Sequence, residues 1–235
     1  MLTLKEWLKT DEVKTLQAKK PGENMTQDFF RDPMRTIFYN PDVFYSPADG
    51  VVLYAKEFKA DDFLEIKGKD FTLKEMLQDD EFEGRAMVVG IFMTSYSVHI
   101  NRAPASSYYI ECRKTNQIIT HNVSMLVVEH DLFNDFNYDK KGLSYLYSNE
   151  RRVNVFYAPM IRQRYYVVQV GDKDIDVIQN WGKGKYLLQG RRFGQIRWGS
   201  QCDLVIPLTN NIQYKALVKP MDYVEAGKDA VVGIL

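Results

Sequence analysis

The chain has 235 residues, 45% hydrophobic and 26% charged, and its 31 basic and 31 acidic side chains leave no formal net charge at pH 7. Such a composition belongs to a globular chain long enough to bury a core, and it excludes a disordered or low-complexity one. With no overall field to attract a polyanion, nucleic acid is not an expected partner, and attraction to an anionic surface would need a local patch. Cys112 and Cys202 lie far apart with no CxxC partner, which suggests neither a disulfide framework nor a metal ribbon and points to a reducing cytoplasm.

In chain order, residues 1–18 read as a helix, stopped by Lys19-Lys20-Pro21-Gly22. Its start is too charged for a signal peptide, and no window of the chain reaches the roughly 18 apolar residues of a membrane span. Leu4, Trp7 and Leu8 fall at i, i+3, i+4. A stripe of this kind either rests on a lipid surface or packs on the protein's own core. Beyond Val43 the apolar runs become short and rich in β-branched and aromatic residues: 51–54, 86–93, 153–157, 165–170 and 204–206. These predict strands. Thr72, with Glu75 three positions later, predicts a capped helix among them. The polar stretch 129–150 reads as a surface excursion. The expected fold is mainly β (α+β), one domain over residues 1–235, a barrel or sandwich with an N-terminal helix and a few short ones.

Few residues invite chemistry. Of three histidines, His121 and His130 stand in polar surroundings, while His99 follows an apolar strand and precedes Ile100-Asn101-Arg102-Ala103-Pro104. Without a third ligand at useful spacing, no metal site is expected. Ser46-Pro47-Ala48-Asp49-Gly50 is by composition a turn, and Gly199-Ser200, between two apolar strands, is by itself another.

In this order, however, these pieces resemble the phosphatidylserine decarboxylase family, particularly its short soluble-bodied branch, over most of the chain. Phe29-Phe30-Arg31-Asp32-Pro33, Ser46-Pro47-Ala48-Asp49-Gly50, Val98-His99-Ile100-Asn101-Arg102-Ala103-Pro104, Asn149-Glu150-Arg151 and Gly194-Gln195-Ile196-Arg197-Trp198-Gly199-Ser200 are similar to five of its ordered boxes. Ile66-Lys67-Gly68, Phe71-Thr72-Leu73 and Leu77 are similar to a further stretch. The resemblance implies an Asp49–His99–Ser200 triad in which Ser200, activated by a base that a third group orients, cleaves the chain after Gly199. A β chain of residues 1–199 and an α chain of 200–235 would result. Ser200 would become a covalent pyruvoyl cofactor with the role pyridoxal phosphate has elsewhere.

The implied reaction is decarboxylation of phosphatidylserine to phosphatidylethanolamine at a membrane surface by a peripherally associated cytoplasmic protein, with a homodimer left open. Tyr96, Arg102 and Trp198 are the substrate-binding candidates. Two departures bear on substrate: Thr94-Ser95-Tyr96-Ser97 lacks the family's proline and acid, and Asp174-Ile175-Asp176-Val177-Ile178 stands where the family has paired arginines. Arg191 and Arg192 are candidates to replace them. The alternatives are a pyruvoyl enzyme acting on a soluble amino acid, or a non-enzymatic β-rich binding module.

Overall fold

The computed structural model describes residues 1–19, 25–66, 69–115, 124–172, 177–197, 200–209 and 211–235. Its strands are β1 (Leu2–Thr3), β2 (Val43–Tyr45), β3 (Gly50–Lys59), β4 (Leu64–Ile66), β5 (Lys69–Phe71), β6 (Arg85–Met93), β7 (Ile100–Arg102), β8 (Ser107–Thr115) and β9 (Arg151–Ala158). They continue with β10 (Gln163–Gly171), β11 (Ile178–Asn180), β12 (Tyr186–Leu187), β13 (Arg192–Ile196), β14 (Ser200–Pro207), β15 (Tyr214–Ala216), β16 (Asp222–Val224) and β17 (Ala230–Ile234). The helices are α1 (Leu4–Trp7), α2 (Asp11–Gln17), α3 (Met25–Phe29), α4 (Leu73–Leu77), α5 (Leu126–Asp135) and α6 (Tyr145–Ser148).

A nine-stranded antiparallel sheet in the order β1-β16-β3-β6-β14-β10-β9-β8-β12 forms the centre. Its long strands are apolar on both sides, and consecutive residues feed two different cores. Val51, Val88, Val168 and Val205 face one core; Val52, Val89, Val167 and Leu204 face the other. Burial on both faces explains why these strands read as unbroken apolar runs without polar alternation. Helices and the β4-β5 hairpin cover the first face. The small sheets β11-β13-β7 and β15-β17-β2 cover the second. The mainly β expectation holds, in a sandwich-like form whose central sheet stays open.

Two local expectations are corrected. Residues 1–18 form two short helices, because Thr3 caps α1 in a capping box with Glu6, and Thr10 begins a second helix by accepting the Val13 N–H. The apolar stripe goes to the core: Leu4 and Trp7 are buried, and the Trp7 ring stacks on Tyr223 at 3.8 Å. The stretch 129–150 is no surface loop either, since α5, a 3₁₀ turn and α6 bury Leu132, Leu143, Tyr145 and Leu146. Its charged residues masked a helical stripe too sparse to read. The Thr72 capping box forms as expected, with Glu75 N–H donated to Thr72 Oγ1 at 3.1 Å. No helix among the described residues is long and apolar enough to cross a membrane.

Gly50 shows how tightly the centre is built. A Cβ added there would lie 2.1 Å from the Phe92 carbonyl oxygen across the ladder, a backbone atom that cannot swing away. Gly50→Ala is expected to lower stability by about 2–3 kcal/mol, read as a shifted urea midpoint; an unchanged midpoint would mean that β3 and β6 can separate without cost.

Candidate active site

Val51 lies opposite Phe92 and Ser200 opposite Met93. Asp49, just before β3, Thr94, just after β6, and Ser200, the first residue of β14, therefore share one end of three adjacent strands spaced ~4.8 Å apart. The loop after β6 brings His99 to the same place. Its main-chain N–H donates to Phe29 O at 2.8 Å, and its ring stacks on Phe29 with centroids 4.2 Å apart.

The His99 ring is fully buried, with Nε2 3.0 Å from Thr94 O and Nδ1 3.1 Å from Ile196 O. Burial pushes its pKa down to about 4, against the two carbonyls, which favour the charged ring. It is thus neutral at pH 7. A neutral imidazole carries one N–H, so only one of these contacts is a hydrogen bond, and the other nitrogen turns its lone pair toward an oxygen. Taking up a proton would make both nitrogens donors. The site therefore holds a free base whose protonated form already has two acceptors waiting, the state a general base passes through.

Ser200 is buried and held in the ladder on both sides, opposite Met93 of β6 and Gly171 of β10. The Asn149-Glu150-Arg151 box supports that second partner. Asn149 Nδ2 donates to Gly171 O at 3.0 Å, Gly171 N–H donates to Glu150 O at 2.9 Å, and the Glu150 carboxylate accepts the Val177 N–H at 3.0 Å. Beyond Ser200, Gln201 is clamped on the helical side of the sheet. Tyr145 Oη donates to Gln201 Oε1 at 2.5 Å, while Gln201 Nε2 donates to Tyr54 Oη at 2.7 Å and to Asp203 Oδ1 at 2.8 Å. Tyr54 Oη also donates to Asp203 Oδ1, at 2.9 Å. These hydrogen bonds and the ladder would retain residue 200 if the preceding peptide bond were cut.

Asp49 is equally buried but differently engaged. Arg35 grips it through both terminal nitrogens, at 2.7 and 2.5 Å, and the Ala226 N–H donates to Oδ1 at 2.7 Å. Burial pushes the carboxyl up from its ordinary value, and the guanidinium and amide oppose that push. No hydrogen bond joins Asp49 to His99 among the described residues; the carbonyls of Thr94 and Ile196 orient the ring instead.

Of the substrate candidates, Tyr96 stacks on Phe133 with centroids 5.5 Å apart, and its loop is tied to α5 by Glu129, whose carboxylate accepts Ser95 N–H at 2.7 Å and Ser95 Oγ–H at 2.6 Å. An acid from a helix thus serves a loop that lacks one of its own. Arg102 donates to Gly190 O at 3.0 Å and pairs with Asp32, which also pairs with Arg192. Trp198, Gly199, His121 and the 174–176 segment lie outside the described residues. Arg35, Thr94 and the Gln201–Asp203 clamp were missed by sequence reasoning. An acid inside the apolar run of β14 was the one legible signal among them.

The sequence profile described as phosphatidylserine decarboxylase matches residues 23–232, which include Asp49, His99 and Ser200. The chain belongs to the phosphatidylserine decarboxylase family. Similar relatives include the phosphatidylserine decarboxylase proenzyme of Magnetococcus marinus, 28% identical over 187 residues, which are 80% of this chain and 69% of the relative. The proenzyme of the same name in Symbiobacterium thermophilum is 27% identical over 209 residues, 86% of this chain and 76% of that one. A protein of Methanothermobacter thermautotrophicus, provisionally named an archaetidylserine decarboxylase proenzyme, is 28% identical over 194 residues, 82% of this chain and 75% of the relative. Phosphatidylserine decarboxylases are carboxy-lyases, and two of the boxes that resemble theirs meet here: Phe29 of the first stacks on His99, and Arg31 beside it donates to Tyr96 O at 2.6 Å.

Proposed function

We propose that this chain is a proenzyme that cleaves itself between Gly199 and Ser200 into chains of residues 1–199 and 200–235, and then decarboxylates phosphatidylserine to phosphatidylethanolamine with release of CO2. The observation that carries this reading is a neutral, buried His99 at the strand end occupied by Ser200, within a chain of this family.

In the cleavage, His99 takes the Ser200 hydroxyl proton while Oγ bonds to the Gly199 carbonyl carbon, and the C–N bond breaks to leave an ester. Loss of the Ser200 α-proton expels the Gly199 carboxylate, and water then replaces the freed nitrogen, which departs as ammonia. The surroundings suit a cofactor built from residue 200, since β6, β10 and the Gln201 clamp hold that position without the severed bond. Once formed, the pyruvoyl group supplies an electron sink for the pair left behind by departing CO2. His99 then holds or returns the proton at the reacting carbon. Asp49, bound to Arg35, contributes a fixed buried ion pair at the same strand end and acts as a positioning residue.

The intact mass of the purified chain tests this. Two fragments are expected, the smaller lighter by one ammonia than residues 200–235 alone, and a single uncut chain for Ser200→Ala. A single chain in both samples would overturn the proposal and favour a binding module. Fragments that turn over a free amino acid and ignore phosphatidylserine would overturn the substrate alone.

A further inference from the structure

One face beside this site combines exposed apolar side chains with unpaired cations. The segment 32–40 carries Met34, Phe38 and Tyr39, which are 103%, 72% and 59% exposed. It is fastened to the 181–192 stretch, because Asp32 pairs with Arg192, Asn40 N–H donates to Gln189 Oε1 at 2.9 Å, and Ile37 packs over Gly190. That stretch adds exposed Trp181 and Leu188. Soluble surfaces rarely gather so many large apolar groups in one place.

The charge that the second of these elements brings is one-sided. Residues 177–202 include Lys183, Lys185, Arg191, Arg192 and Arg197 and no acidic residue at all, although the chain as a whole is neutral. Lys183, Lys185 and Arg191 are exposed, and no ion pair engages them among the described residues. Between the two elements lies a cavity of about 480 Å³ lined by Ile37, Arg102, Trp181, Leu188, Arg191 and Arg192. From Arg192 at its edge, β13 runs to Ile196, whose carbonyl meets His99, a span of about 13 Å at 3.3 Å per residue.

We infer that this face, and not the N-terminal helix, docks the protein on an anionic phospholipid bilayer. Phe38, Tyr39, Trp181 and Leu188 enter the headgroup boundary, and Lys183, Lys185 and Arg191 meet lipid phosphates. Aromatic and aliphatic groups rimmed by cations suit that boundary, where amphipathic rings and charged heads are both satisfied. A protein partner would need shape complementarity that a loop of protruding side chains does not offer, whereas a bilayer adapts to them. The inference rests on the lipid substrate proposed above: docking here brings the mouth of the cavity to the headgroup layer, one short strand from His99 and Ser200.

The test uses the full chain carrying Ser200→Ala and sedimentation with vesicles of phosphatidylglycerol and phosphatidylcholine, which contain no substrate. Binding is expected, with much weaker binding to phosphatidylcholine alone and release by salt. Lys183→Gln with Lys185→Gln should weaken it about thirtyfold, from the ~1 kcal/mol that each cation contributes beside an anionic leaflet. Phe38→Ser with Leu188→Ser should abolish it, whereas Met160→Ser, exposed elsewhere, should not. Equal binding by native and patch variants would overturn the inference, as would a Phe38→Ser, Leu188→Ser chain that loses only self-association. Processed native enzyme assayed on phosphatidylserine in detergent micelles separates the two readings. Turnover there without vesicle binding removes the docking face alone; vesicle binding without turnover keeps the face and removes the substrate.

Discussion

His99→Gln is expected to leave the chain folded and to slow self-cleavage by about 10²–10⁴-fold, the range set by loss of a positioned general base. Glutamine can still donate to Thr94 O or Ile196 O, so orientation is partly kept and the missing property is the ability to take a proton. The time course of fragment appearance, by intact mass, gives the rate. The native rate should be flat through neutral pH and fall only as the pH drops through about 4, where His99 becomes charged. Asp49→Asn should cost less than His99→Gln, because Asp49 touches Arg35 and the Ala226 amide and not the ring. An equal or larger loss in Asp49→Asn would show that the carboxylate moves onto His99 during the reaction. A His99→Gln chain that cleaves at the native rate would remove the base assignment outright.

The second large effect concerns stability. Asp203 is fully buried and, among the described residues, accepts only from the neutral donors Tyr54 and Gln201, so burial pushes its pKa up to about 7 while hydrogen bonding opposes the rise. A folded-state pKa above the ordinary carboxyl value means that the fold gains from keeping this proton. The gain is whole below about pH 4 and is lost as the pH rises to about 7. His99 has the opposite sign over much of that window: its folded value is depressed from 6.5 to about 4, so its contribution is lost as the pH falls between them. The two slopes therefore oppose each other in the native chain.

Asp203→Asn should expose the difference. Between pH 5 and pH 8, the stability of the variant relative to the native chain should improve by about 3 kcal/mol, from roughly two pH units of differential protonation. Urea midpoints of both chains, each carrying Ser200→Ala so that cleavage does not intervene, measure this. A constant difference across that range would mean that Asp203 is ionised in the folded protein at every pH tested.

Much of the architecture was legible from residue patterns. The strands centred on 86–93, 153–157, 165–170 and 204–206 were readable because burial on both faces demands unbroken β-branched and aromatic runs. The helix at Leu73–Leu77 was readable from its cap, a purely local device. The break between α1 and α2 was less visible, since Thr10 looks like any polar residue until its hydroxyl is seen to cap a new turn. The burial of 129–150 also went unseen, because the few apolar residues that bury there are spread through charged sequence.

Local sequence thus determined the strands, the caps and, through the order of its boxes, the family, and it singled out Asp49, His99 and Ser200 as candidates. Only the tertiary structure decided what each of these residues touches. His99 is oriented by two backbone carbonyls, and carbonyls leave no trace in a sequence because every residue has one. Asp49 is held by Arg35, a cation fourteen positions away that resembles any surface arginine until the fold buries it. Trp7 packs on Tyr223 rather than reaching for lipid, since an apolar stripe specifies a need for burial and leaves to the rest of the chain the choice of what satisfies it.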